Sequence, residues 1–344
     1  MSVIIEDSRN QKHFKSISFS GYKKQSVCKE LVKAIMNKKI EDVLYWTSEL
    51  ICSGHFLDLW ECILSITSQH IHIGNPKLSI YILKRYDSFK DIILSGYQDN
   101  ELLLRNNESI RILFSEIMFI LCYSRKKYAL QTIKLSLEEL ELTSITHLFA
   151  ADNIHYASSV YTKADPKELF IPLNELAYSM SKKVQSSHNS SYWLEWIFAY
   201  EKKCKKNKRK LICKNRSHIP VHESFQSDII WIIWDIIHEA SKVLPATHQN
   251  TIDSLFRLYC VRFSLSSKQK RKLIIYHAFL ILCEKIDYTL PIIQSSVSFT
   301  DIKKGIPKIF QAIKKHEIHD AVEDIQSTNI KNTSKKIQLL NSLS

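Results

Sequence analysis

Glycine is nearly missing from this chain. Only five occur in 344 residues, at positions 21, 54, 74, 96 and 305, and residues 97–304 contain none. No pair of these glycines has the spacing of a phosphate-cradling GxxxxGK[ST] loop or of the GxGxxG turn that opens a dinucleotide-binding helix. Nucleotide enzymes built on such loops are therefore excluded. Long apolar runs are missing too. Even residues 229–234 followed by Ile236 and Ile237 are far below the ~18 residues that span a bilayer. Residues 1–25 are polar throughout and lack the basic, apolar, small-residue order of a signal peptide. The chain is thus expected to be soluble and intracellular, not secreted, with no membrane partner. The eight cysteines (28, 52, 62, 122, 204, 213, 260 and 283) lack any regular spacing and lie mostly in apolar stretches. In a reducing compartment they read as small core residues rather than a disulfide framework.

Acidic residues are scarce in one place. Residues 201–216 hold nine cations (Lys202, Lys203, Lys205, Lys206, Lys208, Arg209, Lys210, Lys214 and Arg216) against the single acid Glu201. This stretch carries +8 of the net +13, so the other 328 residues share only +5. Basicity is a local device here, not a property of the whole surface. Dense lysine displaces counterions from phosphate and gives sequence-independent, salt-sensitive affinity. Lysine offers a point charge, not the bidentate fork that reads base edges. The alternatives for the stretch are a solvated loop or a nuclear-import signal. Tyr192, Trp193, Trp196 and Tyr200 adjoin it at helical spacing, which makes them core candidates first and base-stacking platforms second.

What is present is helical periodicity, stated twice in the same order. Tyr45-Trp46 with Glu49-Leu50, then Leu59-Trp60, then Phe119-Ile120-Leu121-Cys122 are matched by Tyr192-Trp193 with Glu195-Trp196, then Trp231 and Trp234, then Phe279-Leu280-Ile281-Leu282-Cys283. The offset between matches changes from 147 at the Tyr-Trp pair to 161 at the closing cysteine, and the second copy gains its extra residues at the basic stretch. The chain is therefore read as all-α, with two tandem, divergent helical modules and a C-terminal helix. Expected boundaries are a flexible arm at 1–24, module A at 25–127, a connector at 128–165, module B at 166–287 with a basic insert at 201–222, and a linker, C-terminal helix and tail at 288–344. Within module A, helices are predicted at 25–37 (apolar face Val27, Leu31, Ala34, Ile35), 40–52, 56–68, 77–94 and 107–124, with Gly54 as a left-handed C-terminal residue. Within module B they are predicted at 166–183, capped by Asp165 with Pro166 in the first turn, and at 190–203, 228–240, 248–263 and 267–286. A last amphipathic helix is expected at 306–320.

Two clusters have metal-ligand residue types. Cys204, Cys213, His218 and His222 form a C-x8-C-x4-H-x3-H series whose histidine end suits zinc and whose cysteine spacing is wide. Cys52, His55 and Cys62, with His70 and His72 beyond, read as core cysteines and helix-end histidines. No other cofactor is expected, and no Ser-His-Asp or Cys-His grouping has local support.

The segment running from Ala34 through Tyr45-Trp46 to Gly54, followed by Leu59-Trp60 and by His72-Ile73-Gly74-Asn75-Pro76, resembles the collar-like C-terminal helical region of the clamp-loader-related AAA+ ATPases of the MgsA and Werner-helicase-interacting group. There the region mediates oligomerisation beside an ATPase domain. The resemblance implies packing or homo-oligomer contacts around Tyr45, Trp46, Gly54, Trp60 and Gly74. It does not carry over ATP hydrolysis, because this chain has no ATPase domain and places His72 where the family has an acid. Over nearly its whole length the chain also resembles uncharacterised helical proteins of nucleocytoplasmic large DNA viruses. The shared elements are residues 54–78, Asp165-Pro166-Lys167-Glu168-Leu169-Phe170, Tyr192-Trp193-Leu194-Glu195-Trp196 and Trp231-Ile232-Ile233-Trp234-Asp235. That resemblance implies a viral origin and a location in the host cytoplasm, at a viral factory, or in the nucleus.

The expected function is a non-catalytic helical accessory or scaffold protein of viral DNA replication or genome handling. Its modules would contact replication or virion proteins, and its insert would contact nucleic acid. A virion-structural packing protein, or an enzyme with an unrecognised zinc-dependent site, are the alternatives.

Overall fold

In the computed structural model, residues 3–7, 9, 12–97 and 101–318 are described. Among them every regular element is helical, and the one β-bridge pairs Ile17 with Lys23. The α-helices in chain order are α1 Lys24–Met36, α2 Ile40–Cys52, α3 Phe56–Ile66, α4 Leu78–Leu94, α5 Glu101–Asn106, α6 Glu108–Tyr123, α7 Phe170–Ser179, α8 Ser187–Lys206, α9 Ile230–Ser241, α10 Ala246–Cys260, α11 Leu265–Lys270, α12 Lys272–Cys283, α13 Phe299–Lys303 and α14 Ile306–Lys314. The chain sorts into two compact units that interleave along the sequence. Unit 1 is Met1–Ile63, Arg85–Tyr123 and Ser295–Ser344, and unit 2 is Leu64–Lys84 and Ser124–Gln294. Residues 64–84, expected in module A, thus cluster with the second unit.

Unit 1 is organised on α2, which packs against α1, α6 and α14. The buried face of α1 is Val27, Leu31, Ala34 and Ile35, the face its 3.6-residue spacing predicts. Helix α2 stops where predicted, and the reason is visible in the backbone. Gly54 sits at φ +70, the His55 amide reaches back to the Leu50 carbonyl (2.8 Å) and the Gly54 amide to Ile51 (3.0 Å), which is a Schellman stop. Phe56, Trp60, Tyr86, Phe89 and Phe114 form an aromatic core with ring centroids 5.1–6.5 Å apart. Residues 1–24, expected to be a flexible arm, are instead anchored where described. Ile5, Phe14 and Phe19 are buried, Ile5 exchanges two 2.8 Å hydrogen bonds with the Asn106 side chain, and the Arg9 guanidinium lies 4.6 Å from the Phe14 ring. The polar composition concealed three apolar anchors spaced too irregularly to show a period.

Unit 2 is built around α12, which lies against α8, α9, α10, α11 and residues 67–74. Its run Ile274–Leu282 is buried on every face, consistent with a helix that has neighbours all round. Beside it, Trp231, Trp234, Phe256, Tyr259 and Phe263 make a second aromatic core. The single helix expected at 267–286 is two helices broken at Arg271, whose guanidinium donates to the carbonyls of Tyr259 (2.9 Å) and Val261. The helix expected at 166–183 starts as a 3-10 turn, Lys167–Leu169, and becomes α-helical at Phe170; Asp165 does not cap it, because its carboxylate accepts the Thr162 and Lys214 amides. The expected connector is packed by side chains of α7 and α8: Glu175 accepts the Ala150 and Ala151 amides, and the Trp196 indole donates to the Glu139 carbonyl at 2.6 Å.

The doubled Tyr-Trp motif acquires a structural counterpart. Helix α2 packs with α1 and α6, and α8 packs with α7 and α12, in matching order along the chain. Each carries a buried glutamate that accepts a hydroxyl: Glu49 from Ser20, and Glu195 from Tyr276 at 2.7 Å.

Candidate nucleic-acid interface

Helix α8 extends through Lys206, so the basic stretch begins as the last turn of a helix. Cations there interact favourably with the carbonyl end of the helix. The chain leaves the helix through a second Schellman turn: Arg209 N–H bonds to the Cys204 carbonyl (2.9 Å), Lys208 N–H bonds to Lys205 (3.1 Å), and Lys208 takes φ +58. The following loop is then fixed at two points, by Cys213 N–H on the Ser227 carbonyl and Arg216 N–H on the Gln226 carbonyl, both 3.1 Å.

The nine cations divide into two groups. Arg216 is buried and acts inward: Nε donates to Asp235 at 2.6 Å and Nη1 to Asp165 at 3.2 Å. Burial alone would raise the Asp165 carboxyl, but Arg216 and the Lys214 and Thr162 amides overcome it and hold the group below its usual range. Arg209 is committed to Tyr200 (2.8 Å), the Cys204 sulfur (3.0 Å) and Glu168 (3.0 Å), and Lys203 pairs with Glu141. These three hold the stretch in place. Lys202, Lys205, Lys206, Lys208, Lys210 and Lys214 are exposed and make no ion pair among the described residues. Ile212, 58% exposed, stands among them. The result is six uncompensated ammonium groups on an ordered ridge of helix end and loop.

The neighbouring aromatics belong to the interior. Trp193 and Trp196 are buried, and Trp196 stacks on Tyr200 at 5.0 Å with the rings 11° apart. Tyr200 and Tyr192 are half-buried, and Arg209 lies 5.9 Å from the Tyr200 ring. No base-stacking platform is presented by Trp193 or Trp196.

Cys204, Cys213, His218 and His222 do not gather into a ligand set. Among the described residues no group of three or more His, Cys, Asp or Glu side chains can hold a metal ion. The cysteines face inward and are buried, with burial pushing the Cys213 thiol up to about 12. Both histidines face outward, His218 toward Asp235 (3.1 Å) and His222 toward Ser224 (2.8 Å).

The residues expected to mediate protein contacts also divide. Trp60 lies within the unit 1 aromatic core, and Gly54 is a helix stop. Gly74, in unit 2, is buried so tightly that a Cβ would lie 2.3 Å from the Arg125 carbonyl oxygen. Only Tyr45 and Trp46 keep partly exposed rings, with Tyr22 edge-on to Trp46 at 5.5 Å. The Asp165–Arg216–Asp235 network has no local signature in the sequence, where Asp165 has the composition of a helix cap and Arg216 belongs to a charged run. Their separation of 51 and 19 residues from Arg216 leaves no local signal.

Compared with known protein families, curated proteins and solved structures, the chain finds no match in any of the three. No helix among the described residues is long and apolar enough to cross a membrane.

Proposed function

We propose that the protein is a helical accessory protein of viral genome handling that binds nucleic-acid phosphate through the ridge at 202–214. The observation that carries this reading is the division of the nine cations: three are spent holding the ridge, and six lysines are left exposed without an acidic partner among the described residues. Six ammonium groups on an ordered support can neutralise several consecutive phosphates without reading bases, so the affinity is sequence-independent. Tyr45 and Trp46 are the partly exposed aromatics through which the collar-like segment would meet a protein partner.

The test is fluorescence anisotropy with two labelled duplexes of unrelated sequence, using the full chain and a variant with Lys202, Lys205, Lys206, Lys208, Lys210 and Lys214 changed to serine. Because Lys203, Arg209 and Arg216 are kept, the fold of the ridge is retained. Equal affinity for both duplexes, lost in the variant, is the expected result. Affinity that survives the six substitutions, or strong preference for one duplex, refutes the reading. A virion packing role would appear instead as high copy number in purified particles.

A further inference from the structure

Two of the eight cysteines stand apart from the rest. Cys28 on α1 and Cys62 on α3 lie in unit 1 and are both half-buried, open to a small reagent, whereas Cys52, Cys122, Cys204, Cys213 and Cys260 are buried. The geometry that brings them together is set one turn earlier. Lys24 on α1 and Asp58 on α3 form a 3.0 Å ion pair, and Asp58 also faces His55 Nδ1 at 3.5 Å. Cys28 is four residues beyond Lys24, and Cys62 is four residues beyond Asp58. Each cysteine therefore lies one full turn beyond its ion-paired neighbour on its own helix, which puts Cys28 and Cys62 on the sides of α1 and α3 that the ion pair joins. Each of the two thiols is the largest influence on the other's titration.

We propose that Cys28 and Cys62 form a reversible dithiol–disulfide site whose co-reactants are small disulfides such as oxidised glutathione. The Cys28 thiolate attacks one sulfur of oxidised glutathione, forming a Cys28–glutathione mixed disulfide and releasing one glutathione thiolate. Cys62, having given up its proton, attacks Cys28 Sγ and displaces the second glutathione thiolate. Two protein thiols are oxidised to one disulfide, one molecule of oxidised glutathione is reduced to two of glutathione, and the two thiol protons pass to the departing thiolates. Cys28 is suited to attack first. Cys62 is the largest influence on it and, together with Lys24, pulls its thiol below the usual range against burial and Asp58. Cys62, whose thiol is raised by Cys28 and by burial, is suited to follow as the resolving group. Cys283, the other half-buried cysteine, has its thiol held up at about 12 by burial and is a poor nucleophile.

The experiment uses the reduced full-length protein, incubated with oxidised glutathione, alkylated, proteolysed and mapped by mass spectrometry. The expected result is a Cys28–Cys62 linked peptide, alkylation of the other six cysteines, and return of both thiols on treatment with dithiothreitol. Cys62→Ser is expected to stop at the mixed disulfide and carry glutathione on Cys28. Free Cys28 and Cys62 after oxidation, glutathione persisting on wild-type Cys28, or a link from either residue to another cysteine would overturn the proposal. So would a Cys62→Ser protein that takes up no glutathione at Cys28.

Discussion

Acid should loosen unit 2 through one buried imidazole. His277 lies mid-way along α12 with no exposed surface, and neither ring nitrogen has a hydrogen-bond partner among the described residues. The facing titratable group is His72, 6.3 Å away between ring centroids, whose Nε2–H donates to the Tyr128 carbonyl at 2.9 Å. From the other packed elements, Glu195 on α8 is tied to Tyr276 and Lys272, Lys268 on α11 to Glu201 and Asp228, and His70 lies toward His72. Burial, and secondarily His72, push the His277 pKa down to about 3. An unfolded histidine titrates near 6.5. Between these values the unfolded chain binds a proton that the folded chain refuses, so stability is full above pH 6.5 and falls as pH drops from 6.5 toward 3. Each unit is about 1.4 kcal/mol, which gives about 2 kcal/mol lost to this residue at pH 5. His277→Leu removes the titration and an unpaired polar ring together, so the variant should be no less stable than wild type at pH 7.5. Urea unfolding of both proteins from pH 7.5 to 5 measures the difference. The gap should widen by about 2 kcal/mol in favour of the variant at pH 5. A gap independent of pH would refute the reasoning.

Three further outcomes follow from single contacts. Gly74→Ala drives a methyl to 2.3 Å from a backbone oxygen that cannot swing away, and should cost about 3 kcal/mol in a denaturant titration, or abolish folding. Lys38, at φ +56 in the turn that ends α1, occupies a left-handed position where a side chain costs about 1–2 kcal/mol, so Lys38→Gly should raise the midpoint of thermal unfolding. Arg216→Ala leaves Asp165 buried and unpaired and should cost about 3–5 kcal/mol by equilibrium unfolding, whereas Lys206→Ala should change stability by less than about 0.5 kcal/mol.

Sequence alone located most helices because their apolar residues keep a 3.6-residue period. Helix α2 was expected at 40–52 and lies there, and the buried face of α1 is the one its spacing predicts. The misreadings share a physical cause, namely partners distant in sequence. Asp165 has the composition of an N-cap, yet its charge is drawn to Arg216, 51 residues away. Arg271 breaks a periodic segment because two carbonyls of another helix end capture it. The first 24 residues look like an arm until Phe14 and Phe19 are seen to be covered. At the basic stretch, composition gave the charge but not its division. Lys203 and Arg209 differ from their neighbours in pairing with Glu141 and Glu168, which no local pattern connects to them.

The most direct test of the central claim is the salt dependence of DNA affinity for the full chain, measured between 50 and 300 mM potassium chloride. If all six unpaired lysines meet phosphate, the slope of log affinity against log salt approaches about −5, and it falls toward zero when the six are serine. A wild-type slope near zero, or one unchanged by the six substitutions, would contradict the account.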